Sequence, residues 1–167
     1  MTEADAVEHA RRLFLDEGHA HGCAEAAYVA LATAYGLDGA GDSAPAMALN
    51  GGVAYGGGTC GAITGAALAV GRLVAGRIDD HREAKRVARE IVAGVMDEFA
   101  REHGAVECRA LIGYDLRAPG QHDAFIASGL WRDRCMRQIE ETVGRLAPLA
   151  GDDAWVEALR EIDEAPP

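Results

Sequence analysis

The sequence predicts an all-α fold, a compact single-domain bundle of helices, and three observations carry that prediction. Apolar residues recur at three-and-four spacing through most of the chain. Alanine and aliphatic residues are abundant while aromatics make up only 5%. No segment alternates apolar and polar residues as a strand would. The 167 residues read as one domain over 1–167, long enough to bury about two thirds of the unfolded surface. Helices averaging ~11–12 residues give about six to eight of them.

A first helix is expected from Glu3 to Glu17, with Val7, Ala10, Leu13 and Phe14 on its apolar face and Gly18 as its stop. After the turn His19-Ala20-His21-Gly22, a second starts near Cys23 and runs through Ala27, Leu31 and Tyr35 to Gly36. Residues 37–42 form a loop, and Ser43 caps a short turn that holds Pro45. The glycine-rich stretch 50–58 permits unusual backbone angles and close approach by another group. Thr59 is the expected N-cap of a helix from Cys60 to about Ala75, apolar nearly all round and therefore the buried, glycine/alanine-rich centre of the bundle. Its Gly61, Gly65 and Ala69 make a smooth strip for a neighbouring helix or for a homodimer.

Asp79 or Asp80 opens the longest helix, which ends near His103-Gly104. A short helix is expected from Cys108 to Ile112 and another from Gln121 to Ala127, after the Pro119-Gly120 turn. Trp131, Cys135, Ile139, Val143 and Leu146 then share one helical face. Asp152 caps a last helix carrying Trp155, Val156, Leu159 and Ile162, and Ala165-Pro166-Pro167 should fray.

The net charge of −11 supplies no basic stripe to replace phosphate counterions, so nucleic acid is excluded as a partner. Anionic membranes are excluded on the same ground. The stretch 62–75 contains Arg72 and is too short to span a bilayer. Met1-Thr2-Glu3-Ala4-Asp5 does not read as a secretory signal. The expected compartment is cytoplasmic, where lone cysteines serve as ligands or redox groups more often than as disulfides.

Four cysteines, Cys23, Cys60, Cys108 and Cys135, lie singly along the chain. No Cys-x-x-Cys pair supports a zinc ribbon or thioredoxin motif, and no Cys-x-x-Cys-His supports covalent haem. Three of them fall near predicted helix starts, where backbone N–H groups and the helix dipole favour a thiolate, and Cys135 faces inward. If the fold brings them together, they suit a metal, an iron–sulfur cluster or a thiol redox site. Taken singly, each reads first as a small buried hydrophobe.

The local settings carry a family resemblance. Gly22-Cys23-Ala24-Glu25-Ala26, then the run from Gly56 to Gly65 around Cys60, then Cys108 through Asp115, and finally Cys135 follow one another in order. In these the chain resembles the redox-active protein family named for its C-GCAxxG-C-C cysteine pattern, over about residues 10–143. That family is similar in turn to the iron–sulfur part of split-Soret cytochromes. The resemblance implies that Cys23, Cys60, Cys108 and Cys135 are ligands of a [2Fe–2S] cluster. Gly57, Gly58, Thr59 and Gly61 would then supply its cradle. Some members carry selenocysteine at a cysteine position, which keeps a catalytic thiol open. The haem sites of the cytochromes are not carried over.

Other candidates read as structural. His19 and His21 belong to a solvated turn, although His21 could give a proton beside the site. His9, His81, His103 and His122 lie on polar faces or at helix ends. Gly56, Gly58 and Gly61 fit G-x-G-x-x-G by spacing but lack the strand a dinucleotide site needs. Glu25 and Glu107 read as solvated helix residues, and Asp115 as a loop-fixing residue. The expected function is therefore a redox protein holding an iron–sulfur cluster, for electron transfer to a redox partner or for chemistry on a small-molecule substrate. The alternatives are a metal-free thiol oxidoreductase with Cys60 as nucleophile, structural zinc, or a binding module with buried thiols.

Overall fold

A computed structural model describes residues 1–166 of the chain, so the expected fraying at Pro167 lies outside the described residues. These residues form eight α-helices, with a long connection between the second and third that holds the glycine-rich stretch, and the only strand-like pairing among them is a single bridge between Thr59 and Glu107. The helices are α1 (Glu3–Phe14), α2 (Cys23–Ala34), α3 (Gly61–Arg77), α4 (His81–His103), α5 (Cys108–Ile112), α6 (Gln121–Ser128), α7 (Met136–Leu146) and α8 (Asp152–Glu164).

Local chemistry accounts for most of their ends. Thr2 and Asp5 form a reciprocal capping box on α1, with the Thr2 N–H donating to Asp5 Oδ2 at 2.9 Å. Asp80 caps α4 by accepting from the Glu83 N–H at 2.8 Å, and Gly104 ends it in the left-handed conformation. Ser43 does not cap the 3₁₀ turn Ala44–Ala46, because its hydroxyl donates to Glu25 instead.

The bundle is organised around the α2–α3 pair, with α1 and α7 packed on α2 and on each other, α4 along α3, and α8 against α4. The helix buried all round is α2, where every residue from Ala24 to Ala32 is buried. The expectation placed α3 at the centre. Helix α3 buries Gly61, Ile63, Gly65, Ala66, Ala69, Val70, Leu73 and Val74, but exposes Arg72, Ala75 and Gly76 on its other side. A helix rich in alanine, whose one charged side chain, Glu25, is fully hydrogen-bonded, can be enclosed by neighbours on every side, whereas Arg72 must reach polar partners at the edge. Its guanidinium donates to the Tyr28 hydroxyl and the Asp38 carbonyl, each at 2.6 Å.

The small-residue strip of α3 is spent inside the bundle and is not left for a second copy. A Cβ on Gly61 would lie 2.2 Å from Cys23 Sγ, and one on Gly65 would lie 2.1 Å from the Ala24 carbonyl oxygen. Close approach of α2 and α3 at this end is what sets Cys23 beside the start of α3. No helix among the described residues is long and apolar enough to cross a membrane.

Candidate functional site

Each cysteine reaches the site by its own local device. Cys23 opens α2, whose first turn is held by Glu25 and Asn50. The Glu25 carboxylate accepts from the Gly22 N–H at 2.9 Å, from Asn50 Nδ2 at 2.9 Å and from the Ser43 hydroxyl at 3.0 Å. Asn50 Oδ1 accepts from the Ala24 N–H at 2.9 Å and from the Cys23 thiol at 3.9 Å. Glu25 is therefore a buried, fully engaged anchor, not the solvated residue expected from sequence. Burial works to raise its carboxyl pKa, but the bonds from Gly22, Asn50 and Ser43 outweigh that and hold it below the ordinary value.

Cys60 and Cys108 are brought together by a short antiparallel ladder. The Cys60 N–H donates to the Val106 carbonyl at 2.8 Å, Cys108 to Gly58 at 2.7 Å and Arg109 to Gly57 at 3.2 Å. Thr59 sits in the bridge to Glu107, so it does not cap α3, and Cys60 itself occupies the N-cap position. Asp115 does the loop-fixing work expected of it, accepting from the Arg117 N–H at 3.2 Å and pairing with Arg109 at 3.0 Å. Cys135 ends a π-helical turn, Trp131–Cys135, that precedes α7. Arg134 ties this turn to α5 by donating to the Leu111 carbonyl at 2.7 Å. The predicted single stripe from Trp131 to Leu146 is thus a π turn followed by an α-helix. Such widened turns recur at functional sites, and here Trp131 and Cys135 both face one cavity.

The glycine-rich stretch is more unusual than its composition suggests. Gly51, Gly52, Val53, Ala54 and Tyr55 all have positive φ, between 50° and 73°, an unbroken left-handed turn of five residues. A left-handed Val is a genuine outlier, and backbone strain of this kind gathers at functional sites. Gly57 and Gly58 donate to the Gly51 and Gly52 carbonyls, each at 3.0 Å, and close the turn. The turn sets the Gly51 N–H toward Cys23 and the Tyr55 ring toward the cavity.

All four cysteines meet. Cys23, Cys108 and Cys135 line a cavity of about 430 Å³, and the buried Cys60 lies close enough to feel each of the other three sulfurs. All four are free of disulfides. Among the described residues, no three of these sulfurs lie within 4.8 Å of one another. The N–H groups of Gly51, Ala24, Cys23 and Gly61 face the Cys23 sulfur, and that of Ala62 faces Cys60. Of the glycine-loop candidates, Gly61 thus turns its amide to a sulfur, while Gly57 and Gly58 spend their N–H groups on Gly51 and Gly52 and their carbonyls on the ladder that holds Cys60 against Cys108, and Thr59 forms the bridge of that ladder. Sequence reasoning missed Gly51 and Asn50, and no local signal marks them, since each acts through a turn that only the fold closes; the Ala62 N–H is the first-turn donor that a cysteine at a helix start leads one to expect.

Burial raises all four thiols, contrary to the thiolate expected at a helix start. Cys60 is pushed well above its ordinary value, by burial first and then by Cys23. Cys108 is raised to about 11, by burial and then Cys23. Cys135 is raised to about 12, by burial and then Cys23 and Cys108, with Arg134 opposing. Amides soften the effect at Cys23 without reversing it.

The cavity continues past the sulfurs into a chamber walled by Phe14, Tyr55, Phe125 and Trp131, with His19, His21 and His122 among its polar groups. His19, which has φ of 50°, sets its ring edge-on to Trp131 at 5.3 Å. His122 lies 5.3 Å from the Tyr55 ring. His19 stays exposed and His21 and His122 half-buried, as expected of surface residues, and all three line the chamber from its solvent side. A second cluster, Glu102, His103 and Glu141, lies apart from the cysteines, with His103 Nε2 2.7 Å from Glu141 Oε2 and Glu102 paired with Arg145 at 2.7 Å.

Comparison with known proteins agrees with the cysteine pattern. A family model described as "Putative redox-active protein (C_GCAxxG_C_C)" matches residues 21–149, which is about three quarters of the chain and includes all four cysteines. No curated protein and no solved structure matches the chain. The ordered cysteine settings, their convergence in the fold and the extent of the family match lead to one conclusion: the chain belongs to the C_GCAxxG_C_C family of redox-active proteins.

Proposed function

We propose that Cys23, Cys60, Cys108 and Cys135 hold an iron–sulfur cluster of the [2Fe–2S] type, for redox chemistry on a small molecule admitted to the adjoining chamber. The observation that carries this reading is the meeting of four thiols from four separate elements, with backbone N–H groups turned toward two of the sulfurs. Four cysteines are the ligand count of such a centre, and N–H donors to its sulfurs are a standard control on its potential. The donor set fits the group in its chemistry as well, since all four side chains are thiols, the ligand type of iron–sulfur centres.

When bound, the cluster would supply exchange of electrons at low cost in rearrangement. The chain's residues do the remainder. Glu25 and Asn50 fix the start of α2, and with it the Cys23 side chain. The ladder from Gly57 to Arg109 fixes Cys60 against Cys108. The cavity as a whole, sulfur end and chamber together, is about 430 Å³ and falls in the ~300–1,000 Å³ range of small-molecule sites. Its aromatic walls exclude water from one side, and its imidazoles offer hydrogen bonds and proton exchange. Free-thiol chemistry at Cys60 draws less support, because a nucleophile needs the thiolate and burial opposes it at every one of the four positions.

The test is visible absorption with iron, zinc and acid-labile sulfide analysis on protein purified without oxygen. A brown protein with matched iron and sulfide, bleached in each Cys→Ser variant, is the expected result. A colourless protein, with zinc or with no metal even after anaerobic reconstitution, would overturn the proposal.

A further inference from the structure

The inward face of α7 is apolar at Met136, Ile139, Val143 and Leu146, but it also carries Gln138, which is only 1% exposed. The Gln138 carboxamide oxygen lies 3.7 Å from Cys60 Sγ and accepts from the thiol. Its Nε2 is buried and has no hydrogen-bond partner among the described residues. Thr142, the other buried polar residue on this face, has its hydroxyl satisfied at 2.8 Å by the Gln138 backbone carbonyl. A leucine or methionine would fill the same space and strand nothing.

The two ends of a carboxamide occupy nearly equivalent positions, and a half-turn about the last side-chain bond exchanges them. With Cys60 as a thiol, the amide must present oxygen to the S–H, and its own N–H is left unpaired. A Cys60 sulfur bonded to iron has no proton to give and can only accept. The half-turn then puts an N–H on the sulfur and leaves a carbonyl unpaired, which proteins tolerate better than an orphaned N–H. The stranded donor thus belongs to the thiol form of Cys60, and ligation of that sulfur would remove it.

We infer that Gln138 is a positioning residue for the cysteine site: its carboxamide turns to donate Nε2–H to Cys60 Sγ when that sulfur is a cluster ligand. The inference rests on the cluster reading above. A donor on a ligand sulfur favours the reduced, more negative state, so Gln138 would raise the potential.

Gln138→Leu and Gln138→Met remove the donor, and two variants guard against an accident of side-chain shape. The metal-free variants should melt at or above the wild-type temperature, because an unpaired buried N–H is gone. After anaerobic reconstitution, both should show a midpoint potential shifted to more negative values and an altered Fe–S stretching spectrum. Loaded variants that match a loaded wild type in potential and spectrum would overturn this inference alone. So would variants that melt lower with no change in potential, or a failure of both to fold, since either marks a structural role. A wild type that takes up no cluster would overturn the functional proposal and this inference together.

Discussion

Placing an alanine at position 65 tests how closely α2 and α3 must approach to build the site. The added Cβ would lie 2.1 Å from the Ala24 carbonyl oxygen, 2.8 Å from its carbon and 2.9 Å from Ala24 Cα. Ordinary contact begins near 3.4 Å. The obstacle is backbone in the first turn of a buried helix, so the whole of α2 must shift by roughly 1 Å. A gap of that size forfeits about a quarter to a half of the dispersion energy across the contact. Overpacking of this kind costs ~1–3 kcal/mol, and a clash with backbone belongs at the upper end. Helix propensity returns about 1 kcal/mol on replacing glycine by alanine.

The expected net loss for Gly65→Ala is about 2 kcal/mol, or roughly 4–8 °C in melting temperature for a chain of this size. Gly71 lies on the same helix, and a Cβ added there would meet nothing within 4 Å, so Gly71→Ala should gain ~0.5–1 kcal/mol. Urea denaturation of the metal-free proteins, read by circular dichroism, compares the two directly. If Gly65→Ala proves as stable as Gly71→Ala, the close approach of α2 and α3 at Ala24 is wrong, and with it the placement of Cys23 beside Gly61.

Three further outcomes follow from the site. Glu25 has a folded pKa below its ordinary 4.5, so its contribution is present above that value and lost as pH falls through the folded pKa. Glu25→Gln should cost ~2 kcal/mol at neutral pH and flatten the acid limb of the stability curve, and an unchanged acid limb in the variant would refute the anchoring role. In metal-free protein, Cys108 and Cys135, raised to about 11 and about 12, should react slowly with iodoacetamide at pH 7, with rates rising about tenfold per pH unit up to those values. Fast labelling of either at neutral pH would favour thiol chemistry. Val53 is 47% exposed with φ of 63°, and left-handed residues cost ~1–2 kcal/mol. Val53→Gly should therefore stabilise by about 0.5–1 kcal/mol in urea titrations, after the entropy cost of glycine, and a loss of stability would show that the left-handed turn carries no strain at Val53.

The all-α architecture was legible because helix formation is governed by local features. The three-and-four pattern of α4, its Asp80 cap and its Gly104 stop are written within a few residues of where they act. The same holds for α5, whose bounds Cys108–Ile112 match the expectation. The expectation for α1 overran by about a turn, since the chain leaves the helix after Phe14 and reaches Gly18 in a turn. Which helix is enclosed was not legible. An apolar helix looks the same in sequence whether neighbours cover one side of it or all, and only the packing of α1, α3 and α7 around α2 decides the matter.

The cysteine site divides along the same line. The four thiols, the glycines that permit close approach at Gly61 and Gly65, and the family to which their order belongs could all be read from the order of residues. That order said nothing of Gln138, which reads as one polar residue in an amphipathic helix, nor of Asn50, which reads as part of a loop. Their roles arise from contacts across 78 and 27 residues of chain, with Cys60 and Cys23 respectively. The thiolate expected at helix starts was overturned for a related reason. The helix dipole is a local property that can be read from position, whereas the burial that outweighs it depends on what the rest of the chain places around each sulfur, and that is decided only when the bundle closes.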